Sequence, residues 1–271
     1  MSEKISQRNR FIQTSLTDQT MTWYYDAHIH LSDPFYASEL GFIISQMEHI
    51  KLKACCVSTN ISDSKNTLKL AQYNKLIIPF IGIHPENAND ALEYMTNMID
   101  QNHEFIGGVG EIGLDPTYIK CADDAKRQKH VFETLLSLAE KYQKPVSIHS
   151  RNSLDDILQI MTSYNTKNAL LHWFDGSKKQ LQKAMDMDFF VSYGPVMIYA
   201  NDKQTLLSNT EKSKILVETD GPVKFSRCFE MKPAQITFIP SIIFSASKIL
   251  GVSFDEMTSL LDANSRSFLG I

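Results

Sequence analysis

Residues 106–151 read IGGVGEIGLDPTYIKCADDAKRQKHVFETLLSLAEKYQKPVSIHSR, and three patterns succeed one another along them. An apolar run from Ile106 ends in the carboxylate of Glu111. From Asp124 to Tyr142, the apolar residues Val131, Leu135, Leu138 and Tyr142 recur at spacings of three and four, one face of a helix. A second apolar run from Pro145 then ends in His149. Strand, helix and strand in that order make one βαβ unit, the building block of a parallel sheet covered by helices.

The same alternation extends to both ends of the chain. Strand-like runs begin near Tyr24, Ala54, Ile77, Ile106, Pro145, Ala169, Phe189 and Ile215, with helical or polar segments between them. Ser253 with Glu256 three residues later makes a capping-box pattern that opens a last helix toward Phe268. No Pro/Gly/Ser-rich linker divides the chain, so residues 23–271 are expected to form one α/β domain. Residues 1–22 form a polar extension, either a helical plug or a frayed end. Eight βα units in this length point to a (β/α)8 TIM barrel, although periodicity alone leaves an open doubly wound sheet available.

Composition narrows the class of function. With 43% hydrophobic and 21% charged residues among 271, the chain has material for a sizeable core. No run approaches the ~18 apolar residues of a membrane span, and residues 1–22 lack the apolar core of a secretion signal. A cytoplasmic location without membrane association is expected, and no obligate protein partner is evident. A formal charge of −4 provides no global positive field for coating nucleic acid, so any such contact must be local. The cysteines at 55, 56, 121 and 228 contain no C-x-x-C pair. They read as buried free thiols, with Cys55 and Cys56 on opposite faces of a strand.

The chemistry-bearing residues collect where apolar runs end. Asp26-Ala27-His28-Ile29-His30 puts two imidazoles on one face of the first strand. Glu111 ends GGVGE, His149 ends PVSIH, His172 sits in ALLHWF and Asp220 ends ILVETD. In a barrel these six residues converge at the C-terminal mouth, where catalytic groups gather. Four histidines and two carboxylates suffice for two divalent ions ~3.5–4 Å apart, sharing a bridging carboxylate. Glu111 is the bridging candidate, and Asp220 is both ligand and candidate general base. His84 in FIGIHP also ends a run and is expected to contact a substrate oxygen or support a ligand. Asp26 and Asp115 are expected to orient ligands or the loop backbone. Arg151 can grip a phosphate oxygen or pair with Asp155 or Asp156. Trp173, Phe174 and Tyr118 are candidates for stacking on bases, with core packing as the other reading of Phe174.

Taken together, DAHIHL (26–31), GIHP (82–85), GEIGLD (110–115), PVSIHSR (145–151), LHWFDGS (171–177), VETDGP (217–222) and NSRSFLG (264–270) resemble the signatures of the TatD-like metal-dependent deoxyribonucleases, amidohydrolase-type barrels. Gln128 and Phe132 also fall where that family has a similar pair. The resemblance implies a (β/α)8 barrel, a two-metal centre and phosphodiester hydrolysis through a metal-activated water. DNA is the usual substrate, and some members are 3′–5′ exonucleases. It implies His28 and His30 as ligands of one ion, His149 and His172 of the second, Glu111 as shared ligand, and Asp220 as ligand and base. The metal is left open among Mg2+, Mn2+ and Zn2+. Pro116 and Trp173 depart from the family pattern, as does FSRCFEMKPAQ at 225–235, where only Pro233 of the usual Asn-Glu-Pro element remains. Lys224, Arg227 and Lys232 in that segment are candidate phosphate contacts. The expected function is deoxyribonuclease action on single strands or frayed ends. Hydrolysis of a small ester, amide or phosphoester, and a non-catalytic metal-binding scaffold, are the alternatives.

Overall fold

The computed structural model describes residues 22–271. The expectation of a helical plug or frayed end at residues 1–22 therefore lies outside the described residues, apart from Thr22.

Eight parallel strands form one sheet in sequence order: β1 (Tyr24–Ile29), β2 (Leu52–Val57), β3 (Ile77–Ile81), β4 (Gly108–Gly113), β5 (Val146–His149), β6 (Ala169–Leu171), β7 (Phe190–Tyr193) and β8 (Ile215–Val217). Each starts within two residues of the position expected from the sequence. The open-sheet alternative is excluded because the first and last strands meet. Just past β8, the Asp220 N–H donates to the His28 carbonyl and the His30 N–H donates to the Gly221 carbonyl, both at 2.9 Å. Beneath that seam, Asp26 accepts from the Thr219 N–H at 3.1 Å and the Thr219 hydroxyl at 2.5 Å. The result is a (β/α)8 barrel.

The helices are α1 (Leu40–Ile50), α2 (Ile61–Tyr73), α3 (Leu92–Asn102), α4 (Ala122–Lys141), α5 (Leu154–Met161), α6 (Lys178–Asp186), α7 (Asn201–Asn209), α8 (Ile239–Leu250) and α9 (Phe254–Leu269). On α4 the core face is Gln128, Val131, Phe132, Leu135, Leu136 and Ala139, whereas Leu138 and Tyr142 are only half-buried. The apolar stripe is thus rotated from the one read in sequence, because Gln128 is drawn inward by polar contacts. Its side-chain oxygen accepts from the Asp115 N–H, and its amide donates to the Asp115 carbonyl, both at 3.0 Å. The capping box at Ser253 and Glu256 forms and opens α9.

Two apolar layers result. Ala27, Cys55, Val57, Phe80, Leu170, Phe190, Leu216 and Phe268 fill the barrel interior below the mouth, while Cys56 belongs to the larger layer between sheet and helices. Cys55 and Cys56 therefore do face opposite ways. The expectation of four buried thiols is corrected for Cys121 and Cys228, which lie exposed on loops. Phe268 comes from the last turn of α9 and stacks on Phe80 at 6.0 Å, with Phe190 edge-on at 5.6 Å. Asn264, one turn earlier, donates to the carbonyls of Lys212 and Ile215 at 2.7 and 2.8 Å and fixes the helix to the start of β8.

Regular pairing breaks in two places, between Asp26 and Ile29 on β1 and between Val109 and Ile112 on β4. These irregularities hold His28 and Glu111, and a bulge re-aims the side chains it carries. Gly113 follows with φ +154°, pressed against the His149 carbonyl where a Cβ would overlap it. No L side chain fits there, and the glycine allows β4 and β5 to approach closely beside the two ligands.

Candidate metal centre

Glu111 stands at the middle of the mouth, almost completely buried. Its Oε1 lies 2.9 Å from His149 Nδ1, 2.9 Å from His172 Nε2 and 3.7 Å from His84 Nε2. Its Oε2 lies 3.5 Å from His28 Nε2 and 3.6 Å from His30 Nε2. Asp220 closes the ring, with Oδ1 3.3 Å from His30 Nε2 and 3.7 Å from His28 Nε2. All six residues read as metal ligands are therefore brought together, and His84 joins them.

The far side of each ring decides which nitrogen faces the centre. His30 Nδ1 donates to the Val57 carbonyl at 2.8 Å, and His28 Nδ1 meets the Ser147 hydroxyl at 2.9 Å, so Nε2 of each turns inward. His149 has Nε2 on Asp115 Oδ2 at 2.9 Å, which leaves Nδ1 for the centre. His172 has its buried Nδ1 without a hydrogen-bond partner, 3.7 Å from Glu218 Oε1, and Nε2 inward. An outer nitrogen held by a carboxylate, carbonyl or hydroxyl, as in His28, His30 and His149, turns the inner nitrogen toward the centre, the orientation that metal-binding imidazoles need. Three overlapping donor groups lie around it: His28, Glu111 and His172; His28, His30 and Asp220; and His84, Glu111 and His149, each with ligand atoms within 4.8 Å of one another. The residues fit divalent cations.

His84 differs in tautomer. Its Nδ1 accepts from the Glu86 N–H at 3.2 Å, and burial holds the ring pKa down at about 4, so the neutral ring carries its proton on Nε2. That proton faces Glu111 Oε1 at 3.7 Å and suits donation to an oxygen.

The charges are strongly coupled. Burial alone would raise Glu111, but the His84 and His172 rings and hydrogen bonds from His149 and His172 hold it well below its ordinary value. Burial and the neighbouring His172 push His28 down to about 4. Burial also opposes charge on His30, yet the hydrogen bond to Asp220 and the field of Glu111 raise it to about 9. His149 and His172 are raised too, against burial, by Asp115 and Glu111 and by Glu111 and Glu218 respectively.

Of the supporting residues, Asp115 orients His149 as expected. Asp26 works through the backbone, accepting from the His28 N–H at 3.2 Å besides Thr219. Asp115→Asn is expected to weaken divalent-cation affinity about 10–100-fold with the fold intact, read by competition with a chelating dye. Unchanged affinity would remove Asp115 from that role. Sequence reading passed over Glu218. Fully buried, it accepts from the Trp173 N–H at 2.7 Å and the Ser192 hydroxyl at 2.6 Å while facing His172. The signal was its two-residue spacing from Asp220, the spacing that paired His28 with His30.

Above the centre opens a cleft of about 1060 Å3, lined among others by Arg151, Trp173 and Val223. Arg151 is exposed and, among the described residues, makes no ion pair with Asp155 or Asp156. Trp173 forms one wall with its ring stacked on Phe225 at 5.2 Å. Phe174 is buried, as its core-packing reading expects, with its ring against Leu154 and Gly176, and the stacking candidate Tyr118 lies half-buried and edge-on against His84. Lys224, Arg227 and Lys232 are not among the residues that line the cleft; their segment is held by a bridge between Lys224 and Pro233 and packs behind Trp173 through Phe225.

Known proteins share this arrangement of chain. An uncharacterized metal-dependent hydrolase of Bacillus subtilis, YabD, is 24% identical over 91% of this chain and 99% of its own length. The human protein named deoxyribonuclease TATDN3 is 23% identical over 88% of this chain and 92% of its own. Among solved structures, the TatD homologue YjjV of Escherichia coli superposes with a TM-score of 0.83 at 21% identity, over 92% of this chain and 98% of that one. Residues 25–270 match the family described as TatD related DNase, which covers the barrel from β1 to the end of α9, and the chain belongs to that family.

Proposed function

We propose that the protein is a metal-dependent hydrolase that cleaves phosphodiester bonds of deoxyribonucleotide chains. The observation that carries this reading is the Glu111 centre, ringed by imidazoles and Asp220, beneath a cleft whose lining includes the guanidinium of Arg151. The family and the human relative's name support it.

His28, His30, Glu111, His149, His172 and Asp220 would hold two divalent cations, which supply charge to polarise a phosphoryl oxygen and activate a water. The chain's own side chains do the rest. Arg151 grips a non-bridging phosphate oxygen by two parallel N–H bonds. His84 donates its Nε2 proton to a substrate oxygen. Asp220 takes the proton of the attacking water as oxygen adds to phosphorus. The P–O bond to the leaving group breaks, the departing alkoxide takes a proton from solvent water and Asp220 returns its proton to solvent, giving a phosphomonoester and an alcohol. Trp173 presents its exposed face to a base.

Cation binding must displace protons. His30 near 9, with His149 and His172 also raised, carries a proton at neutral pH, and a metal ligand must be deprotonated. Affinity is therefore expected to rise with pH up to about 9 and fall below it, with proton release at about pH 7. Calorimetry in two buffers of different ionisation enthalpy counts those protons, and a count of zero would contradict the assignment.

The function is tested with metal-stripped protein and a 5′-labelled single-stranded deoxyoligonucleotide, restoring Mg2+, Mn2+ or Zn2+ separately, with Glu111→Ala as control. Metal-dependent shortening that vanishes in the variant is expected. Turnover of simple esters without any oligonucleotide cleavage would replace this reading with the small-substrate alternative.

A further inference from the structure

The charges around the cleft are unevenly distributed. The centre at its floor, once holding two divalent cations against Glu111 and Asp220, is positive and draws a phosphate. The wall above it carries Glu86 after β3, Asp155 and Asp156 at the start of α5, and Asp175 after β6, against Arg151 as the one arginine or lysine of the lining. Asp175 pairs with Lys203, and Asp155 with Gln180 at 3.1 Å and Lys183 at 3.5 Å, the latter an exposed contact. Glu86 and Asp156 have no ion-pair partner among the described residues. The basic residues Lys224, Arg227 and Lys232 stand outside the cleft on the segment after β8, and Lys232 is paired with Glu230 at 3.1 Å.

A nucleic acid strand carries one phosphate per ~3.4 Å of its axis, and the Debye length at physiological salt is ~8 Å. Phosphates flanking the one on the floor therefore lie within reach of the acidic wall and are repelled by it. At about 1060 Å3 the cleft matches the upper end of small-molecule pockets, ~300–1,000 Å3, room for a dinucleotide.

Resting on the phosphodiester reading above, we propose that Asp155 and Asp156, with Glu86 and Asp175, select for substrates of few charges: a dinucleotide or other small phosphodiester over an extended strand.

The test compares kcat/KM for a deoxydinucleotide and a single-stranded 20-mer, using holoprotein loaded with the cation that supports turnover. Dinucleotide preference is expected. The ratio of dinucleotide to 20-mer should fall about fivefold as monovalent salt rises from ~0.05 to ~0.5 M, because salt screens the wall. The double variant Asp155→Asn/Asp156→Asn should lower that ratio by a similar factor at low salt. Because each ratio is taken within one protein, any loss of folded protein cancels. A 20-mer preference that weakens with salt, the sign that counterion release gives, would overturn the proposal and assign control to the outer basic segment. A ratio that the double variant does not move would overturn it as well. In both cases dinucleotide hydrolysis leaves the phosphodiester reading standing. Failure to hydrolyse either substrate removes that reading and the proposal together.

Discussion

Asp220→Asn is expected to lower kcat by about a thousandfold and to leave KM within about threefold. Asparagine keeps one oxygen toward His28 and His30 but cannot take a proton, so the substitution separates holding a cation from accepting the water's proton. The backbone tolerates the exchange. Asp220 sits at φ +51°, a conformation that Asn adopts readily, and its N–H bond to the His28 carbonyl is unchanged. Stopped-time assays across a cation titration are the check. If saturating cation restores the rate, Asp220 is only a ligand and the base lies elsewhere.

The largest effect on stability is expected at the opposite end of the barrel. Phe268→Ala removes a ring that is 1% exposed and wedged between Phe80 and Phe190. Phe-to-Ala changes in a core cost ~3–5 kcal/mol, which for a chain of this size lowers Tm by about 10 °C. Phe268 belongs to the layer under the mouth and touches none of the six ligands, so kcat well below the new Tm should stay within about twofold. Thermal unfolding and kinetics on the same sample decide the matter. A kcat loss as large as the loss of stability would show that the bottom and the mouth of the barrel are coupled.

The fold was legible because each strand lies in a short, mostly apolar run, and in five of the eight a histidine or carboxylate stands within the run or just past its end, a change of character that survives in linear sequence. For the same reason His28, Glu111, His149, His172 and Asp220 could be picked out without coordinates. Glu218 was not, since it sits inside the same motif as Asp220 and its partners, Trp173 and Ser192, come from two other βα units. The tautomer of His84 was illegible for a related reason, because it is set by one backbone N–H of Glu86 in a tight turn. Exposure of Cys121 and Cys228 depends on how loops pack, and periodicity carries no record of that. The charge of the cleft lining is likewise a property of three loops together, after β3, β5 and β6.

The bonds between the ends of β1 and β8 join residues 193 positions apart, at Asp26 and Thr219, and the two partners flank His28 and Asp220. During synthesis His28 is made long before Asp220, and α9, which packs against both strands, follows them. A fragment that stops short of Asp220 lacks a member of the centre, and the six residues meet only where the eighth strand closes on the first. A protease cut that let those two strands part is expected to silence the protein as surely as the loss of a ligand.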